Sequence, residues 1–208
     1  MKKFKLSYLA IIYILLTALS GCSTINQNAS SILISSNPKI TWEQQRVKLS
    51  KLNHWNLSGV IGIISNNHGE SANFNWSQNR HTFKIEISGP LGIGAVYLNG
   101  DKNQTTLISS KGKRYTANNP EELMYTQMGW YVPIKGLYYW VKGMPIPNQP
   151  ARKRLNNLGL ISTLYQSGWE IRYDNYILIN KKYPLPRKII MIGNGLKIKL
   201  INKEWSIN

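Results

Sequence analysis

Phe83–Gly100, FKIEISGPLGIGAVYLNG, consists of two apolar runs joined by Gly89-Pro90-Leu91-Gly92. Phe83, Ile85 and Ile87 alternate with Lys84 and Glu86, the period of a half-buried β-strand. A second apolar run, Ile93–Leu98, follows, so the segment is predicted to be a hairpin. Its glycines can take positive φ and its proline presets φ near −65°. Turns of this kind usually carry polar residues at the tip. This one carries a leucine beside a proline, with no charged residue from Ser88 through Gly100. Two readings of Leu91 stand: a side chain folded back onto its own sheet, or an apolar finger left open to touch lipid.

The flanks extend the hairpin into a ladder of strands. Upstream, Leu57–Ser65 is followed by Asn66-Asn67-His68-Gly69 and by Glu70–Ser77, where Ala72, Phe74 and Trp76 share one face. Downstream, Gln104–Ser110, a Lys-Gly-Lys turn and Arg114–Ala117 continue a meander. Asn119-Pro120-Glu121-Glu122 then reads as a helix N-cap, a proline at the first helical position and acids in the first turn, with Gly129 as the stop. Pro133 opens a second short helix, carrying Leu137, Tyr138, Trp140 and Val141 before Gly143. Pro145, Pro147 and Pro150, with Arg152-Lys153-Arg154, read as a long surface excursion. Strands resume at Leu160–Gln166, Trp169–Tyr173, Tyr176–Lys181, Lys188–Ile192 and Leu196–Ile201, the last after a tight Gly193-Asn194-Gly195 turn. Ahead of the sheet, Thr41–Trp55 is predicted helical, with Thr41 and Gln44 as a capping box and Trp42, Leu49 and Leu52 on one face. Many short strands, tight turns and no βαβ spacing predict a curved antiparallel sheet or barrel with helices on its concave side.

Residues 1–21 read as a targeting segment. Lys2, Lys3 and Lys5 form a positive n-region, and Leu6–Leu19 is an apolar h-region too short to span a membrane. It ends in Leu19-Ser20-Gly21-Cys22, which resembles the bacterial lipoprotein signal, where the cysteine thiol is lipidated and the chain is cut just before it. An ordinary secretory signal with a chance cysteine is the competing reading. Against it, Cys22 is the single cysteine, and an exported chain with a spare thiol would risk stray disulfides. Residue 23 is Ser and not Asp, which by the same resemblance sends the chain to the outer membrane, facing the periplasm. Residues 22–40, rich in Ser and Asn and interrupted by Ile32, Leu33 and Ile34, read as a lipidated tether to a single domain at 41–208.

The formal charge is +17; Lys2, Lys3 and Lys5 supply 3 of it, leaving +14 for the mature chain. No nucleic-acid motif accompanies that charge, and an exported lipoprotein meets little nucleic acid. Attraction to anionic membranes or an acidic partner and a lysine-rich composition without a role both remain open. His54, His68 and His81 show no metal-ligand spacing, no Gly-x-Ser-x-Gly occurs, and Gly92-Ile93-Gly94 lies inside a hairpin and not between strand and helix. Neither an enzyme nor a metal or cofactor, other than a covalent lipid on Cys22, is expected. Twelve Tyr and seven Trp against three Phe suit surfaces apolar in body and polar at the rim. Trp76, Trp140 and Trp169 fall on three elements and are candidates to line one cavity; ordinary core packing is the alternative.

The ordered set is informative where no single motif is. Leu19–Cys22, Trp42, Asn73-Phe74-Asn75-Trp76, Gly89–Gly92, Gly112–Ala117, Gly129–Pro133, Trp140–Pro145, Gly168-Trp169 and Trp205 together resemble the LolB family across the mature chain. Departures are Gly89, where an Asn often precedes the proline, and the Ile93-Gly94 continuation. The resemblance implies a mainly β fold with α-helices: an incomplete antiparallel β-barrel with a helical lid over an apolar cavity. It implies a monomer on the outer membrane that takes lipoproteins, by their acyl chains, from a LolA-type periplasmic carrier and inserts them into the bilayer. Phe74, Trp76, Phe83, Ile85, Trp140 and Trp169 are then the candidate acyl-chain lining, and Pro90, Leu91 and Gly92 the membrane-insertion loop. Two other classes stay open. A structural or assembly subunit would have a dry closed core, and a carrier of another lipid would have a cavity shaped for one head group.

Overall fold

The computed structural model describes residues 32–33, 41–65, 68–129 and 131–207, without the side chains of Ile32, Leu33, Leu91 and Met128. The expectations for the signal, for Cys22 and for most of the tether lie outside the described residues. Among the described residues twelve strands run β1 (Ile32–Leu33), β2 (His54–Ser65), β3 (His68–Asn79), β4 (Thr82–Ser88), β5 (Val96–Gly100), β6 (Thr105–Ile108), β7 (Arg114–Ala117), β8 (Ala151–Leu155), β9 (Ile161–Gln166), β10 (Trp169–Ile179), β11 (Tyr183–Gly193) and β12 (Leu196–Ile207). The α-helices are α1 (Trp42–Ser50), α2 (Pro120–Met128) and α3 (Ile134–Trp140).

The strands make one sheet in the order β7-β6-β5-β4-β3-β2-β12-β11-β10-β9-β8, with β1 paired to β10. β7 and β8 end that order without pairing to each other, so the sheet is an open half-barrel. Two meanders, β2 to β7 and β8 to β12, meet along the β2–β12 pairing. The alternation read from the sequence sets the inner face. In one register row Trp205, Leu57, Trp76, Ile85, Leu98, Leu107 and Tyr115 stand side by side across seven strands. Ile63, Ile198, Met191, Ile171 and Leu164 form a parallel row in the other half. Full burial of one such aliphatic side chain contributes roughly 1.5–3 kcal/mol.

Four stretches differ from the sequence-based expectation. α1 keeps its capping box, with Gln44 N donating to Thr41 Oγ1 (3.4 Å) and Thr41 N to Gln44 Oε1 (3.2 Å). It stops at Ser50, however, and Trp55 belongs to β2, because its ring fits between Trp76 and Trp205 at 5.0 and 5.2 Å. Arg152-Lys153-Arg154 is not an excursion. It is the core of edge strand β8, where exposed charges keep the sheet from adding further chains. The predicted break between Tyr173 and Tyr176 is Asn175 in left-handed conformation (φ 53°), inside one continuous β10. β11 begins as early as Tyr183 and contains Pro184 and Pro186. β12 pairs with β11 only from Lys188 onward, and Asn202 Nδ2 donates to the Pro186 carbonyl (2.8 Å).

Gly59 sits where the β2–β12 register shifts between Asn202 and Glu204. A Cβ there would collide with the Ile201 carbonyl oxygen and stand 2.9 Å from Phe74 Cε1. Gly59→Ala should therefore cost about 1–3 kcal/mol, the usual penalty of overpacking. The expected readout is a melting temperature several degrees lower; an unchanged melt would contradict the close approach.

Candidate functional site

Between the inner face of the sheet and the helices lies an apolar cavity of about 340 Å³. Ile61, Ile63, Phe74, Trp76, Ile85 and Leu98 give one wall, and Met191, Ile198 and Leu200 the other. Met124 of α2, Val132, and Ile134 and Leu137 of α3 roof it. Glu70, Ser71, Gly89, Ile93 and Gly94 edge it at the strand tips; Glu70, Ser71, Ile93 and Gly94 are exposed, so the cavity opens there.

The lid forms for local reasons. Asn119 Oδ1 accepts from Glu121 N (3.1 Å), Pro120 fills the first turn of α2, and Gly129 ends it at φ 74°. The Glu121 carboxylate is buried and accepts from Lys135 N (2.9 Å) at the start of α3, which ties the two lid helices together. Ile134 and Leu137, three apart, present one apolar face to the cavity.

Of the residues singled out from sequence, Phe74, Trp76 and Ile85 line this cavity, and Phe83, Trp140 and Trp169 do not. Phe83 stands opposite Gly100 and covers it, so a Cβ on that glycine would lie 2.6 Å from Phe83 Cζ. Trp140 and Trp169 are core residues with ring centroids 6.3 Å apart. Trp140 Nε1 donates to Gln166 Oε1 (3.0 Å), which also accepts from Ile146 N (2.8 Å), while Gln166 Nε2 donates to Ile146 O (3.0 Å). That buried amide needs fixed partners, so this corner is packed solid. Sequence reading missed Met124, Val132 and Ile134 on the lid and Ile61 and Ile63 on β2. The period-2 pattern of β2 held the signal for the last two. Pro90 and Gly92 are exposed in a 3-10 turn at Pro90–Gly92, whose backbone passes through Leu91.

A wider depression of about 560 Å³ on the outer face carries Asn56, Asn75, Tyr97, Asn99 and Glu204.

Lys142 follows α3 and is 1% exposed. Its Nζ donates to the Leu52 carbonyl (3.0 Å) and lies 3.8 Å from the Tyr138 ring centroid. Burial pulls its ammonium down to about 7. Between that value and the unfolded lysine value near 10.4, the unfolded chain binds the extra proton. Stability therefore rises with pH through this window and is flat with respect to this group below it. Melting from pH 6 to 10 should show the parent gaining on Lys142→Met above pH 7; parallel curves would contradict the buried ammonium.

The half-barrel sheet with its helical cover is a fold shared with solved proteins of low sequence identity. A solved LolA superfamily protein from Nitrosomonas europaea matches it with TM-score 0.55 at 9% identity, over 81% of this chain and 94% of that one. A DUF1329 family protein from Desulfovibrio piger matches at TM-score 0.56 and 6% identity, over 83% and 94%. At such identities the likeness is one of fold alone. The family itself comes from sequence. The family model described as outer membrane lipoprotein LolB matches residues 53–205. The outer-membrane lipoprotein LolB of Francisella tularensis subsp. novicida is 43% identical over 96% of this chain and 94% of its own length. That of Nitrosococcus oceani is 34% identical over 96% and 97%. The chain belongs to the LolB family of outer-membrane lipoproteins, a lipoprotein-localisation family.

Proposed function

We propose that this protein is the outer-membrane acceptor of lipoprotein sorting. A lipid on Cys22 holds it, as a monomer, on the periplasmic face. It takes the acyl chains of a lipoprotein from a LolA-type carrier into its cavity and passes them to the bilayer. The supporting observation is the cavity, apolar on sheet and lid and open at the strand tips beside the uncharged Gly89–Gly94 loop.

The physics requires such a device. Each methylene carried through water costs about 0.8 kcal/mol, so a multiply acylated protein cannot cross unaided. Chains must pass from one apolar cavity to another and then downhill into the membrane, a route with no catalytic or nucleotide-driven step. At about 340 Å³ the cavity is at the low end of the roughly 300–1,000 Å³ span of ligand pockets. Accepting more than one chain requires α2 and α3 to lift, and the Glu121–Lys135 hydrogen bond lets them do so as one unit.

Ala72 edges the cavity without belonging to the buried core. Ala72→Trp should fill the cavity and lower cargo transfer from a loaded carrier about tenfold, with the melt little changed. Transfer at the parental rate would sink the cavity as the acyl site.

The membrane step is separable. Leu91→Glu places a carboxylate where the loop must enter the headgroup–acyl boundary, so melting and acceptance from the carrier should stay intact while delivery to vesicles is lost. Delivery at the parental rate, or an early melt, would remove the loop from that role.

A further inference from the structure

Among the described residues three isoleucines are exposed: Ile93 (73%), Ile64 (46%) and Ile192 (38%). All three lie at the strand-tip end where the cavity opens. Ile192, Lys197, Ile64 and Gly69 stand side by side in one register row across β11, β12, β2 and β3. The alternation fixes which way this row faces. Its neighbours Met191, Ile198 and Ile63 are buried and line the cavity, so Ile192, Lys197 and Ile64 are on the outer face. One row further from the tips, exposed Lys199 stands between Ile190 and Gly62. The carboxylate nearest along the row, Glu170 opposite Ile192, is already held by Arg172 Nε (2.6 Å). On the other side Glu70 follows Gly69 and turns to the cavity edge, where Ile93 also lies.

We propose that the Ile192–Lys197–Ile64 row is a second lipid-contact site, distinct from the Pro90–Gly92 loop. Ile64 and Ile192 enter the interfacial zone while Lys197 and Lys199 meet anionic phosphate headgroups. Aliphatic side chains interleaved with cations are the composition that binds at a membrane interface. A carrier exchanging chains mouth to mouth meets the inner rim, Glu70 and Gly89, whereas this row lies behind it on the outer face. With the loop on one side of the mouth and the row on the other, contact at both holds the opening against the bilayer. A single finger would leave the domain free to roll about its tether. This site deepens the acceptor reading and rests on it.

The test uses the full lipidated protein in vesicles of phosphatidylethanolamine and phosphatidylglycerol. Cys22 is the single cysteine, so with its thiol lipidated an introduced cysteine at 64, 192, 93 or 77 is the only labelling site. Fluorophores at 64 and 192 should be quenched by a lipid-borne quencher about as strongly as one at 93. A fluorophore at exposed Ser77, on the outer face toward the other end of β3, should be spared. The Lys197→Glu, Lys199→Glu pair should lower quenching at 64 about twofold or more at low salt, and should have no effect in phosphatidylcholine vesicles. Quenching at 64 and 192 no greater than at 77 overturns the proposal. Loss of cargo acceptance by the charge-reversed pair, with quenching unchanged, overturns it in favour of a protein-docking face. Acceptance measured on the unlabelled parent keeps the two ideas apart. A parent that accepts no cargo fails the acceptor reading, while quenching alone decides whether the row touches lipid.

Discussion

The pairing of β2 with β12 is the constraint on which the rest of the molecule depends. It joins the first long strand of the domain to the last, across the whole sequence between them. Without it the two meanders would have separate inner faces, and the cavity, walled by β2 to β5 on one side and by β11 and β12 on the other, would lose its second wall. The pairing also brings Trp205 against Trp55 and, through Leu57, into line with Trp76. Closing so long a loop costs chain entropy before any contact repays it. The site of closure is correspondingly well anchored: Gly59 admits the strand crossing, and fully buried Asn202 reaches across to Pro186.

An open sheet leaves an apolar face to be covered, and the chain covers it unevenly. Aromatic rings fill two regions, Trp55–Trp76–Trp205 on one side and Trp140–Trp169 on the other. Between them the lining is chiefly aliphatic, with Met124 and Met191. Methionine adapts its shape at little cost, and aliphatic chains lack the polar atoms that would demand fixed partners. The same sheet is thus rigid where tryptophans interlock and adaptable where isoleucine, leucine and methionine face one another. Glu121, accepting from Lys135 N, ties α2 to α3 in the cover over the adaptable part.

How much of this was legible follows from which signals are local. Alternation in 83–87 and 196–200, the Asn119-Pro120 start and the Gly129 stop are decided by a few neighbouring residues, and the structure has them where they were expected. β8 was illegible because ARKRL has no apolar alternation; it is a strand only by virtue of its place at the sheet edge. The site was legible by half. Phe74, Trp76 and Ile85 share one face by period and reach the cavity. Trp140 and Trp169 carry the same apolar character, but Gln166 holds Trp140, against which Trp169 packs, and a buried glutamine has no signature in sequence. The burial of Lys142 likewise has no local signature in sequence. Trp140, Val141, Gly143 and Met144 around it are all buried, and the Leu52 carbonyl and Tyr138 ring receive its ammonium.

In the proposed acceptor role the protein must release what it binds, and so cannot hold it too well. A cavity fitted closely to several acyl chains would recover nearly all of the roughly 0.8 kcal/mol per methylene that the bilayer offers, and transfer would stall. A cavity smaller than its cargo recovers only part, and lifting the lid subtracts the packing of α2 and α3 from the gain. The bilayer then remains the deeper well, and the direction of transfer follows without any input of energy. What the protein must supply is proximity, a mouth held where the chains can leave one apolar medium for the next without meeting water. In the proposed acceptor role, lysines facing anionic headgroups would serve that task without opposing release, because screened attraction acts on the domain and leaves the alkyl chains free to go.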